Sequence, residues 1–361
     1  DVALSGTDAN NYALIDADGN PNTRITGNVG TISQLSSVTW TGATSGGVWS
    51  NAANWNNGAI PDQSNVAAVI IPANYSITLD SDNVVTTSAV TNNGQLIFDG
   101  TSDYTFAQVI SGTGSVKKSE VNTLTLSATH TYTGDTYIEA GTLKLTGGLA
   151  DETDIVMTGS GDWDLQVAET VASLSMAANN TISRSAGSSS LVVTGDATLS
   201  NTVTTSGNQT YQGNVTLLVD TTLSGGSQLL IEGNVNSSAT TGTSNNRTLA
   251  TSFTETEFDQ TIGNTYQLGA ITITGAFDLD GSIAAASSLS VTGVSTLAGD
   301  ITTTGTQTYT GAVTLAGDAT LSTTNSNITF SSTLDGAQAL TLDSGSANIS
   351  LGADIGASTA L

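Results

Sequence analysis

Two stretches of this chain are near copies of one another. Leu191 to Ser224 reads LVVTGDATLSNTVTTSGNQTYQGNVTLLVDTTLS, and Leu289 to Ser322 reads LSVTGVSTLAGDITTTGTQTYTGAVTLAGDATLS. They align without a gap, 98 residues apart, and are identical at 20 of 34 positions. Self-similarity at long period marks a chain built by stacking small units rather than by closing one core. Shorter echoes, such as Thr131-Tyr132-Thr133-Gly134 with Thr308-Tyr309-Thr310-Gly311, fall at other spacings. The structural unit is therefore smaller than 98 residues and tolerates insertions.

Within the second copy, apolar and small polar residues alternate in short bursts: Val313-Thr314-Leu315, Ala319-Thr320-Leu321, Ile328-Thr329-Phe330. Period two over three to five residues predicts short strands with one buried face. Gly317-Asp318, Asn325-Ser326-Asn327 and Asp335-Gly336 separate the bursts and supply the backbone freedom of tight corners. Apolar residues at helical spacing are absent, and Thr, Ser, Gly and Asn are mediocre or poor helix formers.

This pattern predicts an all-β fold, a right-handed parallel β-helix from about residue 37 onward. Each rung holds roughly 18 to 25 residues, so 98 residues make about four or five rungs. Inward files of Val, Leu and Ile are expected to include Leu199, Val203, Val215, Leu217 and Leu223, and their counterparts Leu297, Ile301, Val313, Leu315 and Leu321. The rival is an array of β-sandwiches. It calls for more aromatic core residues than the 5% found here.

Formal net charge is −25, from 31 acidic and six basic residues, which disfavours nucleic acid or an anionic membrane as partner. Charged residues are only 10% of the chain, so acidity does not imply disorder. There is no Cys, hence no disulfide and no thiolate metal site. No run of about 18 apolar residues spans a bilayer. The chain opens at Asp1 within a strand-like phrase and closes at Leu361 without a capping pattern, which reads as a cut through a longer protein.

Four stretches carry family resemblances. LSGTDANNYAL followed by a GTI strand, within residues 1–36, resembles the closing strands of small β-sandwich modules of the YDG/MBG type in bacterial exoproteins. Residues 37–75 contain Trp40, Trp49 and Trp55 in the phrase VTWTGATSGGVWSNAANWNNGAIPDQSNVAAVIIP. This is similar to the segment that precedes β-helical passengers of bacterial surface proteins. Gly112 to Leu145, GTGSVKKSEVNTLTLSATHTYTGDTYIEAGTLKL, resembles the autotransporter-associated β-strand repeat. It departs from that pattern at Glu120, Asn122 and Ala128, where Gly is usual, and at His130, where Asn is usual. The 98-residue copies, within residues 76–361, resemble the arrays of filamentous-haemagglutinin-like exoproteins. The resemblance to the autotransporter-associated repeat implies a structural motif without an active site.

Candidate chemistry is sparse. Asp16-Ala17-Asp18-Gly19-Asn20 offers oxygen ligands for Ca²⁺, but Pro21 follows and no later bidentate Glu completes the set, so a solvated hairpin turn is the favoured reading. The three Trp either cap the open end of the solenoid, which is favoured, or present faces for sugar rings. His130 is the only His, so any Ser-His-Asp triad must use it. Carboxylates alternate at Asp162 and Asp164 and at Asp278 and Asp280, a pattern more typical of a solvated strand face. Of the six basic residues, only Lys117 and Lys118 are neighbours. No catalytic, cofactor or metal residue is assigned.

The expected function is mechanical: a segment of a secreted or surface-bound bacterial adhesin or exoprotein, forming an extracellular rod or fibre for adhesion, aggregation or biofilm matrix. The expected partners are a host or neighbouring-cell surface, glycans, or further copies of the chain. The alternative is a β-helical protein that binds or cleaves glycans, using Trp faces or Asp pairs.

Overall fold

The computed structural model describes residues 2–4, 9, 12–16, 20–22, 24–25, 31–61, 66–80, 89–238 and 246–356. The chain divides into two compact units, Asp1–Trp163 and Asp164–Leu361. Among the described residues there is no α-helix; a 3-10 turn spans Ala52–Asn54.

The first unit begins with two small antiparallel sheets. Tyr12–Ile15 pairs with Thr31–Gln34 and with Pro21–Asn22, and Val2–Ala3 pairs with Arg24–Ile25. The sandwich that the resemblance implied is not seen among the described residues. From Val38 the strand pairing turns parallel. Val38 pairs with Val69, 31 residues on, and later partners are 19 to 21 apart: Val69 with Val90, Ile77 with Leu96, Val90 with Ile110, Leu124 with Leu143. Three such files, one per face, make a parallel β-solenoid.

The second unit repeats this plan. Inward positions alternate with outward ones, as in the buried–intermediate–buried pattern of Gln209–Tyr211 and Ile328–Phe330. All ten residues expected in the core are buried, from Leu199 to Leu321. Each such aliphatic side chain contributes about 2 kcal/mol by leaving water. Partners lie 18 apart at Leu191 and Gln209, and 28 apart at Thr221 and Leu249. The wide interval holds a Ser/Thr/Gly/Asn-rich run, Ser237 to Asn246. Its residues 239–245 lie outside the described residues.

The 98-residue repeat turns out not to be a whole number of turns. Leu191 stacks on Gln209, then Leu229, Thr256, Phe277 and Ser295. Leu289 belongs to a different face, stacked on Ile271, which follows Leu249 and Thr221. The second copy is therefore displaced by one face relative to the first. This is possible because both copies place an inward residue every six positions: Leu191, Ala197, Val203, Gln209, Val215, and Leu289, Ser295, Ile301, Gln307, Val313, all buried. A six-residue strand-plus-corner unit fits any of the three faces.

Polar side chains at the corners bond mainly to the next rung. Asp196 Oδ1 accepts from the Asn214 backbone N–H at 2.9 Å, and Asn214 Oδ1 from the Asn234 N–H at 3.2 Å. Asp300 accepts from the Thr320 N–H at 2.7 Å, and Asp318 from the Ala339 N–H at 2.9 Å. Part of the acidic composition is thus structural: corner carboxylates satisfy backbone donors that tight turns leave unpaired.

Candidate functional site

The three tryptophans of the first unit are inside. Trp40, Trp49 and Trp55 are at most 2% exposed. Trp55 meets Trp40 edge-on with ring centroids 5.1 Å apart, and meets Trp49 at 4.7 Å. Trp55 Nε1 donates to the Trp49 carbonyl at 3.0 Å, and Trp40 Nε1 to the Ala43 carbonyl at 3.1 Å. Strands Val38–Thr39 and Gly47–Val48 from the same segment are the outermost of their files. The indoles therefore cover the end of the core, and no ring face is free to stack on a sugar.

His130 is 1% exposed. Its Nδ1 accepts the backbone N–H of Ile110, one rung away, at 3.1 Å, so the proton sits on Nε2, which is buried without a hydrogen-bond partner. Burial pulls its pKa down to about 4, so the ring is neutral. It stands at the position where Asn is usual in the repeat pattern, and with Nδ1 on a backbone N–H and Nε2 unpartnered it forms no triad.

Lys118 is buried beside Leu79, Phe98, Tyr104 and Leu124. Its ammonium donates to the Glu120 carbonyl, to Asn122 Oδ1 at 2.7 Å and to the Ala140 carbonyl at 3.3 Å. Burial lowers its pKa to about 8, against the opposing pull of Glu120, Asp99 and Asp103. Glu120, Asn122 and Ala128 stand where Gly is usual, but none has positive φ, so the corners accept side chains there. Asn122 uses its own to hold the lysine. Lys117, by contrast, faces outward and pairs with Glu139 at 2.8 Å.

The two acidic pairs differ. Asp164 is buried, not solvated: it accepts from the Ser185 N–H at 2.8 Å, from Ser185 Oγ at 2.5 Å and from Gln166 Nε2 at 2.8 Å. Asp278 and Asp280 do lie outward, and the fold brings Glu257 and Asp259 beneath them. Carboxylate oxygens of Glu257, Asp259 and Asp280 lie within 4.8 Å of one another. Glu257, Asp259 and Asp278 are all raised above the ordinary carboxylate value, first by partial desolvation and then by the charge of neighbouring carboxylates, Asp280 among them in each case. Such a ladder can attract a hard cation. Its sequence signal is Glu-x-Asp at 257 and Asp-x-Asp at 278, one rung apart, which is recognisable only once the rung length is known.

Of the loop proposed for Ca²⁺, Asp18 and Gly19 lie outside the described residues. Asp16 accepts from the Asn20 N–H at 2.9 Å and donates its own N–H to the Asn20 carbonyl at 3.0 Å.

Residues 118–145 match the family model of the passenger-associated transport repeat. Comparison with curated proteins finds no match, and comparison with solved structures finds none. The matched stretch begins at the buried Lys118 and ends at Leu145, inside the parallel stack, and a passenger-type repeat in a β-solenoid fits an extracellular protein of the autotransporter-passenger kind.

Proposed function

We propose that this chain is a structural segment of an exported bacterial adhesin or exoprotein, displayed at the cell surface or released, where it holds adhesive elements away from the cell. The observation that carries this reading is the passenger-associated repeat at 118–145 lying within parallel rungs whose polar side chains mostly serve the stack itself. Ordered hydrogen bonding from rung to rung makes each unit resistant to bending, which is what a spacer needs. The neutral, buried His130 and the structural use of Lys118 and Asp164 support a role without catalysis.

The test is made on producing cells. External protease should remove the segment from intact cells, and in-frame deletion should reduce adhesion or cell–cell aggregation while leaving growth unchanged. Protection of the segment in intact cells together with its absence from the medium would refute the reading.

A further inference from the structure

The first unit carries a groove of about 590 Å³ that runs across successive rungs at one corner. Its floor is bare backbone at Gly94, Gly114 and Gly134. At Gly114 a Cβ would lie 2.1 Å from the Gly94 carbonyl oxygen, so the rungs approach too closely there for any side chain. One wall is a polar ladder: Ser76 Oγ donates to Gln95 Oε1 at 3.1 Å, and Gln95 Nε2 to Ser115 Oγ at 3.3 Å. The other wall holds Asn93 and Thr113, linked by the Thr113 N–H to Asn93 Oδ1 at 3.2 Å. Tyr75 and Tyr137 lie towards opposite ends, the latter donating its hydroxyl to Asp135 Oδ2 at 2.6 Å.

The chemistry of this lining is unlike that of the chain as a whole. In a protein of net charge −25, the groove contains one carboxylate, Asp135, already engaged by a phenol. All other polar side chains in it are hydroxyls and amides, which both donate and accept. Such groups suit hydroxyl-bearing ligands, and they bring no positive charge to neutralise an anion in a chain that is already strongly acidic. The set recurs rung by rung at about 4.8 Å, so a ligand that repeats along its length gains from each rung. Aromatic rings near both ends give apolar surfaces for the C–H faces of pyranose rings.

We propose that this groove binds a neutral, linear glycan, seated along Gly94, Gly114 and Gly134, with Gln95 and Thr113 on its walls and Tyr75 and Tyr137 near its ends. The sugar site moves away from the tryptophans and the aspartate pairs, which the fold buries or charges. The proposal deepens the adhesive reading by giving it a ligand class, and rests on that reading only for the place where the ligand is met.

The purified full chain is titrated calorimetrically with neutral linear oligosaccharides (gluco-, manno- and N-acetylglucosamine series of increasing length) and with oligogalacturonate as the anionic probe. One neutral series binds, and more tightly as length increases. Tyr75→Ala and Gln95→Ala each weaken binding about tenfold, and Thr113→Trp, which fills the groove from an exposed position, abolishes it. Circular dichroism reports whether each variant is folded, and Thr113→Trp decides the matter if Gln95→Ala is not. Absence of binding by every neutral series, preference for the anionic probe, or wild-type affinity in folded Thr113→Trp overturns the proposal. Because the measurement uses purified protein, its failure removes the ligand without touching surface display, and failure of display leaves the binding result standing.

Discussion

Tyr309 donates its hydroxyl to Gln307 Oε1 at 3.2 Å, and both side chains lie wholly inside the solenoid. Gln307 Nε2 in turn donates to the Ile301 carbonyl at 3.2 Å, to Thr303 Oγ1 at 3.3 Å and to the Ser322 carbonyl at 2.9 Å. The earlier copy builds the same cluster: Tyr211 donates to Gln209 Oε1 at 3.1 Å, and Gln209 Nε2 to Val203, Thr205 and Ser224. The repeat thus conveys a buried polar joint to a different face of the stack. A buried amide is favourable when all its partners are present and costly when half of them are missing.

Replacing Gln307 with Leu keeps the volume and strips the joint of its donor. The Ser322 and Ile301 carbonyls and the Tyr309 hydroxyl each lose a partner, at a cost of about 3 kcal/mol. Gln209→Leu should cost about as much, and the double variant should lose close to the sum, because the two joints share no partner. Denaturant unfolding measures this; a loss within experimental error for either single variant would show the joint to be dispensable.

Leu315 is 4% exposed and stacks on Leu297. Leu315→Asp places an unpaired charge in an apolar file and should destabilise the second unit by about 4 kcal/mol or more. Thr314→Asn, one position along and outward, should be nearly neutral. Thermal unfolding of the two variants checks the register, since a one-residue slip would exchange their effects.

His130 makes the first unit acid-labile. Its pKa falls from 6.5 in the unfolded chain to about 4 when buried. The unfolded state therefore binds the proton more readily between these values, and stability is complete above pH 6.5 and lost as pH falls through this window. The loss amounts to about 3 kcal/mol once pH is below 4. His130→Asn retains an acceptor for the Ile110 N–H and removes the titration. The difference in stability between variant and wild type should grow in the variant's favour on acidification from pH 7 to pH 4; a constant difference would contradict this.

The Glu257–Asp259–Asp278 ladder has the opposite sign. These carboxyls are raised in the folded state, so the folded form holds protons more tightly, and stability falls as pH rises from the unfolded carboxylate range through the raised folded values. The charge-repulsion part is screened by salt. Asp278→Asn should raise the melting temperature at neutral pH and low salt, and should reduce its increase with added NaCl. An unchanged salt response in the variant would show that the ladder carries no net repulsion.

The sequence by itself determined the repeating unit and the inward files. An apolar residue at alternate positions, with Gly, Asn or Asp between bursts, admits short strands and little else, and the ten core positions read from Leu199 to Leu321 are buried as that pattern requires. Tertiary stacking decided what each corner and each polar residue does, because those partners lie a full rung away. Asp318 bonds to Ala339 and Asn325 to Ser346, both one rung later rather than within their own turns. Asp162 and Asp164 look like Asp278 and Asp280 in sequence, yet Ser185 draws Asp164 into the interior while Asp278 remains on the outer face. The groove has no linear motif, since Ser76, Gln95 and Ser115 meet only when the intervals of 19 and 20 residues close into turns. The offset of the 98-residue copies by one face has the same cause: a six-residue unit fits all three faces equally, so only the accumulated lengths of the intervening rungs decide which face each copy occupies.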